Sequence, residues 1–119
     1  MRLLTIAETP LFVRQVAAVW SEAEREAFVE YIAANPEAGD VIPDTGGVRK
    51  VRWARAGSGK RGGVRVVYFY QNLGRPLYLL MVYAKGRQED MDADEKRQVR
   101  ALAALLKGSK AARRTKDAT

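Results

Sequence analysis

The sequence contains no cysteine and no histidine among its 119 residues. Without cysteine, the chain cannot form disulfides, thiolate metal sites or thiol nucleophiles. Without histidine, it lacks the commonest metal ligand and the usual general acid and base of enzymes. These absences disfavour a zinc hydrolase and a Ser-His-Asp hydrolase, and we expect neither a metal nor a cofactor.

Long apolar runs are also missing. Residues 1–6 are too short an apolar stretch for a signal peptide or a membrane span. We therefore expect a cytoplasmic protein with no membrane partner. The length is that of one domain, and 47% hydrophobic residues can form a modest core.

Acidic residues are absent from the middle of the chain. Residues 45–88 carry ten basic and no acidic side chains, whereas residues 1–44 carry three basic and eight acidic ones. A solvated basic face would aid solubility, but solubility does not require that every acid be excluded from so long a segment. Acids are excluded where they would repel phosphates, so the segment predicts a polyanionic partner.

Local signals predict three helices and four strands. A short strand is expected at residues 3–7, and Thr9-Pro10 has the pattern of a helix start. Ser21 to Glu24 forms a capping box for a second helix that stops at Asn35-Pro36. After a loop at residues 39–47, strands at 48–54, 64–71 and 77–85 form an antiparallel meander. A second capping box, Asp92 to Glu95, begins a last helix whose inward residues are Val99, Leu102, Ala103 and Leu106.

This order predicts an α+β fold in which two N-terminal helices and a C-terminal helix pack on a mostly antiparallel sheet. We expect the helices on one face, which would leave the other face free to carry function. Residues 1–106 are expected to form the single domain. Residues 107–119 are small, polar and basic, so we expect them to form a frayed or disordered tail.

Three cations are predicted to lie close together on two neighbouring strands. Lys50 and Arg52 share a face because side chains alternate along a strand. Arg65 stands in an apolar run, where a charge is costly unless it has a partner or a wet face. For Arg65 alone, an edge-strand charge that prevents aggregation is an alternative explanation. Since clustered cations repel one another, the three together favour an anionic ligand.

The last strand is expected to turn from apolar to polar along one face. On that face we place Tyr83 and Lys85 with Leu77, Leu79 and Met81. Tyr83 is explained either by ordinary packing or as a platform on which a nucleobase stacks. The sequence leaves both explanations open.

The glycine-rich connection is not a P-loop. Gly59-Lys60 is similar to the end of that motif, but Ala54 stands where a glycine is needed and Arg61 where Ser or Thr is needed. The segment also joins two strands, not a strand and a helix. Glycines around Lys60 and Arg61 instead suit a loop that approaches an RNA backbone closely.

The core from residue 39 to 87 resembles the RelE superfamily, and within it the HigB-like toxins. The matching pieces are residues 39–42, 45–52, 59–68 and 79–85. The most specific is Gly59-Lys60-Arg61-Gly62-Gly63-Val64-Arg65, followed by apolar residues and Tyr68. The coarse order of elements also fits that family over nearly the whole chain.

The resemblance implies a metal-independent endoribonuclease, an mRNA interferase that cleaves mRNA in the ribosomal A site and inhibits translation. It implies a cognate antitoxin that neutralises the toxin, with DNA contacted only through the antitoxin. By motif position, the implied catalytic residues are Lys50, Arg52, Arg65 and Lys85. The implied RNA-binding residues are Arg49, Lys60, Arg61, Tyr68, Tyr83 and Arg87.

Two points stay open at the level of sequence. Some relatives use a tyrosine after the last strand's basic motif, but residues 88–92 contain none, so that role is either absent here or taken by Tyr83 or Tyr68. A non-catalytic basic RNA-binding module would show the same charge pattern, with salt-sensitive binding and no cleavage. The antitoxin is expected to cover the basic sheet face or the groove between the sheet and the last helix.

Overall fold

A computed structural model of the chain describes residues 4–53, 63–84 and 91–117, with side chains in the last helix described as far as residue 107. Within these ranges the chain forms three helices and five strands, which confirms the predicted α+β class. The elements are β1 (Ile6–Glu8), α1 (Pro10–Val16), α2 (Glu22–Ala34), β2 (Asp40–Val41), β3 (Val48–Trp53), β4 (Val64–Phe69), β5 (Leu77–Ala84) and α3 (Ala93–Asp117).

Both N-terminal helices begin where their capping residues predict, and the second also ends where Asn35-Pro36 predicts. The Thr9 side chain accepts a hydrogen bond from the Phe12 amide, and Pro10 occupies the first turn of α1. Ser21 and Glu24 form the predicted reciprocal capping box of α2. That helix ends at Ala34, with Asn35 as its C-cap, because the residue before a proline disfavours helical backbone.

The sheet has the order β1-β5-β4-β3-β2, with β1 parallel to β5 and the other pairs antiparallel. This confirms the predicted meander of β3, β4 and β5. Strand β2 lies inside the segment that was predicted to be entirely loop. Its two residues pair with Arg49 and Lys50, and so short a strand has no alternation that a sequence pattern could reveal.

Helices cover both faces of the sheet, so the prediction that all three pack on one face is wrong. The helices α1 and α2 cover one face, and α3 covers the other. The reason lies in β4, whose Val64, Val66 and Tyr68 enter the first core cluster while Val67 and Phe69 enter the second. A strand that is apolar on both sides must be buried on both sides.

A β-bulge in β5 exchanges the two faces of that strand. Val67 stands opposite Met81 and Tyr68 opposite Leu79, which leaves Leu80 as the extra residue. Leu77 and Leu79 therefore lie in the α1–α2 core, whereas Met81 and Tyr83 lie in the α3 core. The predicted shared face of Tyr83 with Leu77 and Leu79 is wrong because a one-residue slip reverses every side chain beyond it.

Residues before and within α1 complete the hydrogen bonding of β5 at the bulge. The Thr9 hydroxyl lies 3.0 Å from the Leu79 carbonyl oxygen and 3.1 Å from that of Leu80. The Val82 amide donates to Gln15 Oε1 at 2.9 Å. Side chains thus continue the pairing of β5 beyond the end of the short strand β1.

The last helix begins with the predicted capping box, in which Asp92 and Glu95 each accept from the other's amide. Its inward residues are also confirmed, since Val99 and Ala103 are buried and Leu102 and Leu106 are partly buried. The helix continues to Asp117, past its predicted end at residue 106. The division into a domain at 1–106 and a tail at 107–119 stays a prediction. None of the described helices is both long enough and apolar enough to cross a membrane.

Candidate nucleic-acid interface

Four of the predicted site residues meet on the sheet face that α3 covers. Arg52 stands opposite Arg65 across β3 and β4, and Arg65 stands opposite Tyr83 across β4 and β5. Lys50 lies two residues before Arg52 and therefore on the same face, opposite Val67. The sheet register thus forms a row of Arg52, Arg65 and Tyr83 with Lys50 beside it. We call these four residues the cationic row.

The cationic row remains open to solvent although α3 covers its face. Arg52 is exposed, and Lys50 and Arg65 are half-buried. Tyr83 is only 5% exposed and packs in the α3 core. Its ring therefore offers little surface on which a base could stack, but its position places it directly beside Arg65.

Two guanidinium groups of the cationic row converge on the backbone of Gly63. A Cβ atom built on Gly63 would lie 3.2 Å from Arg52 Nε and 3.4 Å from Arg65 Nη1. The two nitrogens consequently cannot be farther apart than the sum of these distances. Two positive charges so close repel each other, and an anion between them would convert the repulsion into attraction.

Arg65 Nη1 is buried and has no hydrogen-bond partner within the described part of the chain. A buried donor on a charged group costs free energy until an acceptor reaches it. The planar guanidinium matches the paired oxygens of phosphate in a bidentate geometry. A phosphate group seated beside Arg65 would therefore supply the acceptor that the fold itself does not.

Arg49 and Tyr68 lie on the opposite face of the sheet and hold the turn after α2. Arg49 Nη1 donates to the Gly39 carbonyl at 2.7 Å and to that of Glu37 at 3.4 Å. The Tyr68 hydroxyl donates to the Pro36 carbonyl at 2.9 Å and accepts from the Gly39 amide at 2.8 Å. Burial raises the pKa of Tyr68, as expected for a phenol that must stay neutral in a core.

These contacts give both residues a role in holding the fold, and their RNA-binding role stays a prediction. Tyr68 is completely buried, so no base can stack on its ring in the folded protein. Arg49 is half-buried and directed to backbone carbonyls, away from the cationic row. The family resemblance implied an RNA contact for both residues. Alternation along β3 places Arg49 on the face opposite Lys50 and Arg52, but the burial of Tyr68 against the turn after α2 could not be read from the sequence.

The other predicted site residues lie outside the described residues: Lys60, Arg61, Lys85 and Arg87. Sequence reasoning missed one residue of the site, Gly63, which it named only as part of the glycine-rich motif. The signal that could have revealed it is its place at the start of β4, two residues before Arg65, where side chains of neighbouring strands crowd the backbone.

Comparison with known protein families identifies the chain. A family model described as the RelE toxin of the RelE/RelB toxin-antitoxin system matches residues 13–116. The match includes α2, the whole β3–β4–β5 meander, the cationic row and nearly all of α3. The protein therefore belongs to the RelE family of toxins, whose partners are cognate antitoxins.

Proposed function

We propose that this toxin is a ribosome-dependent mRNA endonuclease that inhibits translation until its cognate antitoxin neutralises it. The observation that carries the proposal is the buried, unpartnered Nη1 of Arg65 beside the guanidinium of Arg52. Such a pair is suited to a phosphodiester. Family membership supports the same activity.

The proposed reaction uses the nucleophile that RNA itself provides. The 2′-hydroxyl oxygen attacks the adjacent phosphorus, so that an O2′–P bond forms and the P–O5′ bond breaks. The proton of the 2′-hydroxyl passes to a base, and the leaving O5′ receives a proton. The products are a cyclic phosphate end and a 5′-hydroxyl end, and no metal or cofactor takes part.

Arg52 and Arg65 would bind the non-bridging phosphate oxygens, whose negative charge grows as the 2′-oxygen attacks. A preorganised clamp of this kind is usually a large part of catalysis. Arginine stays protonated and is a poor base. Among the described residues, Lys50 and Tyr83 are the members of the cationic row whose side chains can transfer a proton in the reaction. Lys85 is a further candidate from the sequence.

Cleavage is expected to depend on the ribosome because the chain has no histidine to serve as a strong general base. Positioning the 2′-hydroxyl in line with the leaving oxygen can replace much of that missing help. mRNA held in the A site would arrive in such a restricted geometry. We therefore expect the isolated protein to cleave free RNA poorly.

Primer extension on a defined mRNA in a reconstituted translation system tests the proposal. We expect discrete cuts that need ribosomes, that disappear in Arg65→Ala and that persist in Arg14→Ala. Arg14 is a matched control because it is an exposed cation on α1. Salt-sensitive RNA binding without any cut would instead support a non-catalytic RNA-binding module.

A further inference from the structure

We propose that Gly63 is a positioning residue of the site, and that its missing side chain lets Arg52 and Arg65 converge on one phosphate. The inference rests on the proposed function. Gly63 is buried and directly precedes β4. A Cβ atom built on its backbone would contact a side chain of β3, that of Arg52, and a side chain of β4, that of Arg65.

A side chain at position 63 would press against Arg52 and contact Arg65. The Cβ atom would lie 3.2 Å from Arg52 Nε, 3.7 Å from Arg52 Cγ and 3.4 Å from Arg65 Nη1. The contact with Arg52 Nε is shorter than an ordinary van der Waals separation, so that atom would have to shift by a few tenths of an ångström, whereas 3.4 Å to Arg65 Nη1 is an ordinary contact. Arg52 is exposed and can swing away, whereas Arg65 Nη1 is buried and has less room.

Backbone conformation does not explain the glycine. Gly46 and Gly47 have φ angles of +79° and +109°, in the region that side chains disfavour. Gly63 has no φ in that region. Glycine at this position is therefore explained by the lack of room for a Cβ atom, because the side chains of Arg52 and Arg65 lie beside its Cα atom.

A positioning role predicts that Gly63→Ala lowers the cleavage rate but leaves RNA binding unchanged. The number of cations is unchanged, so electrostatic binding of RNA and its salt dependence should stay close to wild type. The Arg52 guanidinium, however, would be displaced from its position beside the phosphate that Arg65 binds. A displacement of about 1 Å in a catalytic geometry can lower a rate on the order of 100-fold, so a shift of a few tenths of an ångström should lower it less.

The experiment is single-turnover cleavage of ribosome-bound mRNA with saturating toxin. We expect Gly63→Ala to lower the cleavage rate by roughly 3-fold to 10-fold, with unchanged RNA affinity and unchanged unfolding midpoint. Gly74→Ala is the matched control. Its Cβ would also meet an atom at 3.2 Å, but that atom is Asn72 Oδ1 in the turn at the far end of β4.

Two further measurements test whether Gly63 acts through the arginines. In an Arg52→Ala background the added methyl group has room, so Gly63→Ala should cost less than in the wild type. Independently of activity, the NMR signals of the Arg52 and Arg65 guanidinium groups should shift in Gly63→Ala and not in Gly74→Ala.

The possible failures are distinguishable. An active wild type with a fully active Gly63→Ala, or an equal loss in both backgrounds with unshifted guanidinium signals, would overturn the positioning role alone. A wild type that leaves ribosome-bound mRNA intact would overturn the proposed function and this role with it.

Discussion

Arg52 and Arg65 stand directly opposite each other across β3 and β4. Like charges in opposed positions of an antiparallel pair destabilise the sheet. The pair also lies next to an apolar core that includes Val67 and Tyr83, where water screens the repulsion less than in bulk solvent. An arrangement that weakens the fold is explained if an anion between the two guanidinium groups is part of the protein's function.

Replacing Arg52 by alanine should therefore stabilise the protein while it impairs cleavage. Removal of the repulsion should raise the free energy of unfolding by a few tenths to about 1 kcal/mol. The difference should shrink at high salt because ions screen the pair. Urea denaturation at low and high ionic strength measures the effect, with Arg14→Ala as the control. A clear loss of stability in Arg52→Ala would contradict a repulsive pair.

The salt dependence of RNA binding should separate the two faces of the sheet. Arg52→Ala and Arg65→Ala should each reduce the slope of log K against log salt by about 0.7, because one phosphate contact to single-stranded RNA is lost. Arg49→Ala should leave the slope unchanged, since its guanidinium binds the carbonyls of Gly39 and Glu37. Fluorescence anisotropy over a salt series measures the slopes. Equal losses in all three variants would mean that RNA also contacts the other face.

Tyr68→Phe should weaken the fold and leave RNA binding intact. The substitution removes the partner of the Gly39 amide and of the Pro36 carbonyl. A buried group left without its hydrogen bond costs about 1–3 kcal/mol. Chemical denaturation and RNA-binding assays on the same variant test both halves of the prediction. A variant that keeps its stability but loses RNA affinity would return Tyr68 to the RNA-binding residues.

The same tyrosine should make stability depend on alkaline pH. Burial raises the pKa of Tyr68 in the folded state above its reference value of about 10. Above that reference the unfolded chain has already lost the proton that the folded chain still holds, so stability falls as pH rises through the folded-state pKa. Urea denaturation between about pH 9 and 12 should show a steeper decline above about pH 10 for the wild type than for Tyr68→Phe. If the stability of the wild type and that of Tyr68→Phe fell equally with pH, burial of the Tyr68 hydroxyl would not be the cause.

Local signals explain why much of this fold could be predicted from the sequence. The capping boxes at Ser21 and Asp92 depend on residues three apart, and both are formed as predicted. The alternation along β3 likewise placed Lys50 and Arg52 on one face correctly. Such features need only neighbouring residues, and tertiary contacts here reinforce them.

Features that depend on strand register could not be predicted in this way. The bulge at Leu80 is invisible in the alternation of β5 until Val67 and Tyr68 are known to face Met81 and Leu79. Burial of Tyr68 depends on the turn after α2 packing against β4. The convergence of Arg52 and Arg65 on Gly63 also follows from the pairing of β3 with β4, which sequence spacing does not reveal.

The bulge in β5 should depend on Gln15, a residue of α1 far from the cationic row in sequence. Its Oε1 accepts a hydrogen bond of 2.9 Å from the amide of Val82, the residue before Tyr83. Gln15→Ala leaves that amide unpaired beside a buried side chain, which should cost about 1–3 kcal/mol. Gln15→Glu keeps an acceptor oxygen in place and should cost less.

Amide hydrogen exchange measures this effect at the bond itself, and urea denaturation measures its effect on the whole fold. We expect faster exchange at Val82 in Gln15→Ala, with an intermediate rate in Gln15→Glu. Gln71→Ala is the control because Gln71 is exposed and its side chain accepts a hydrogen bond from Arg75 in the turn before β5. Unchanged exchange at Val82 in Gln15→Ala would mean that the bulge is held by the Thr9 contacts and by packing alone.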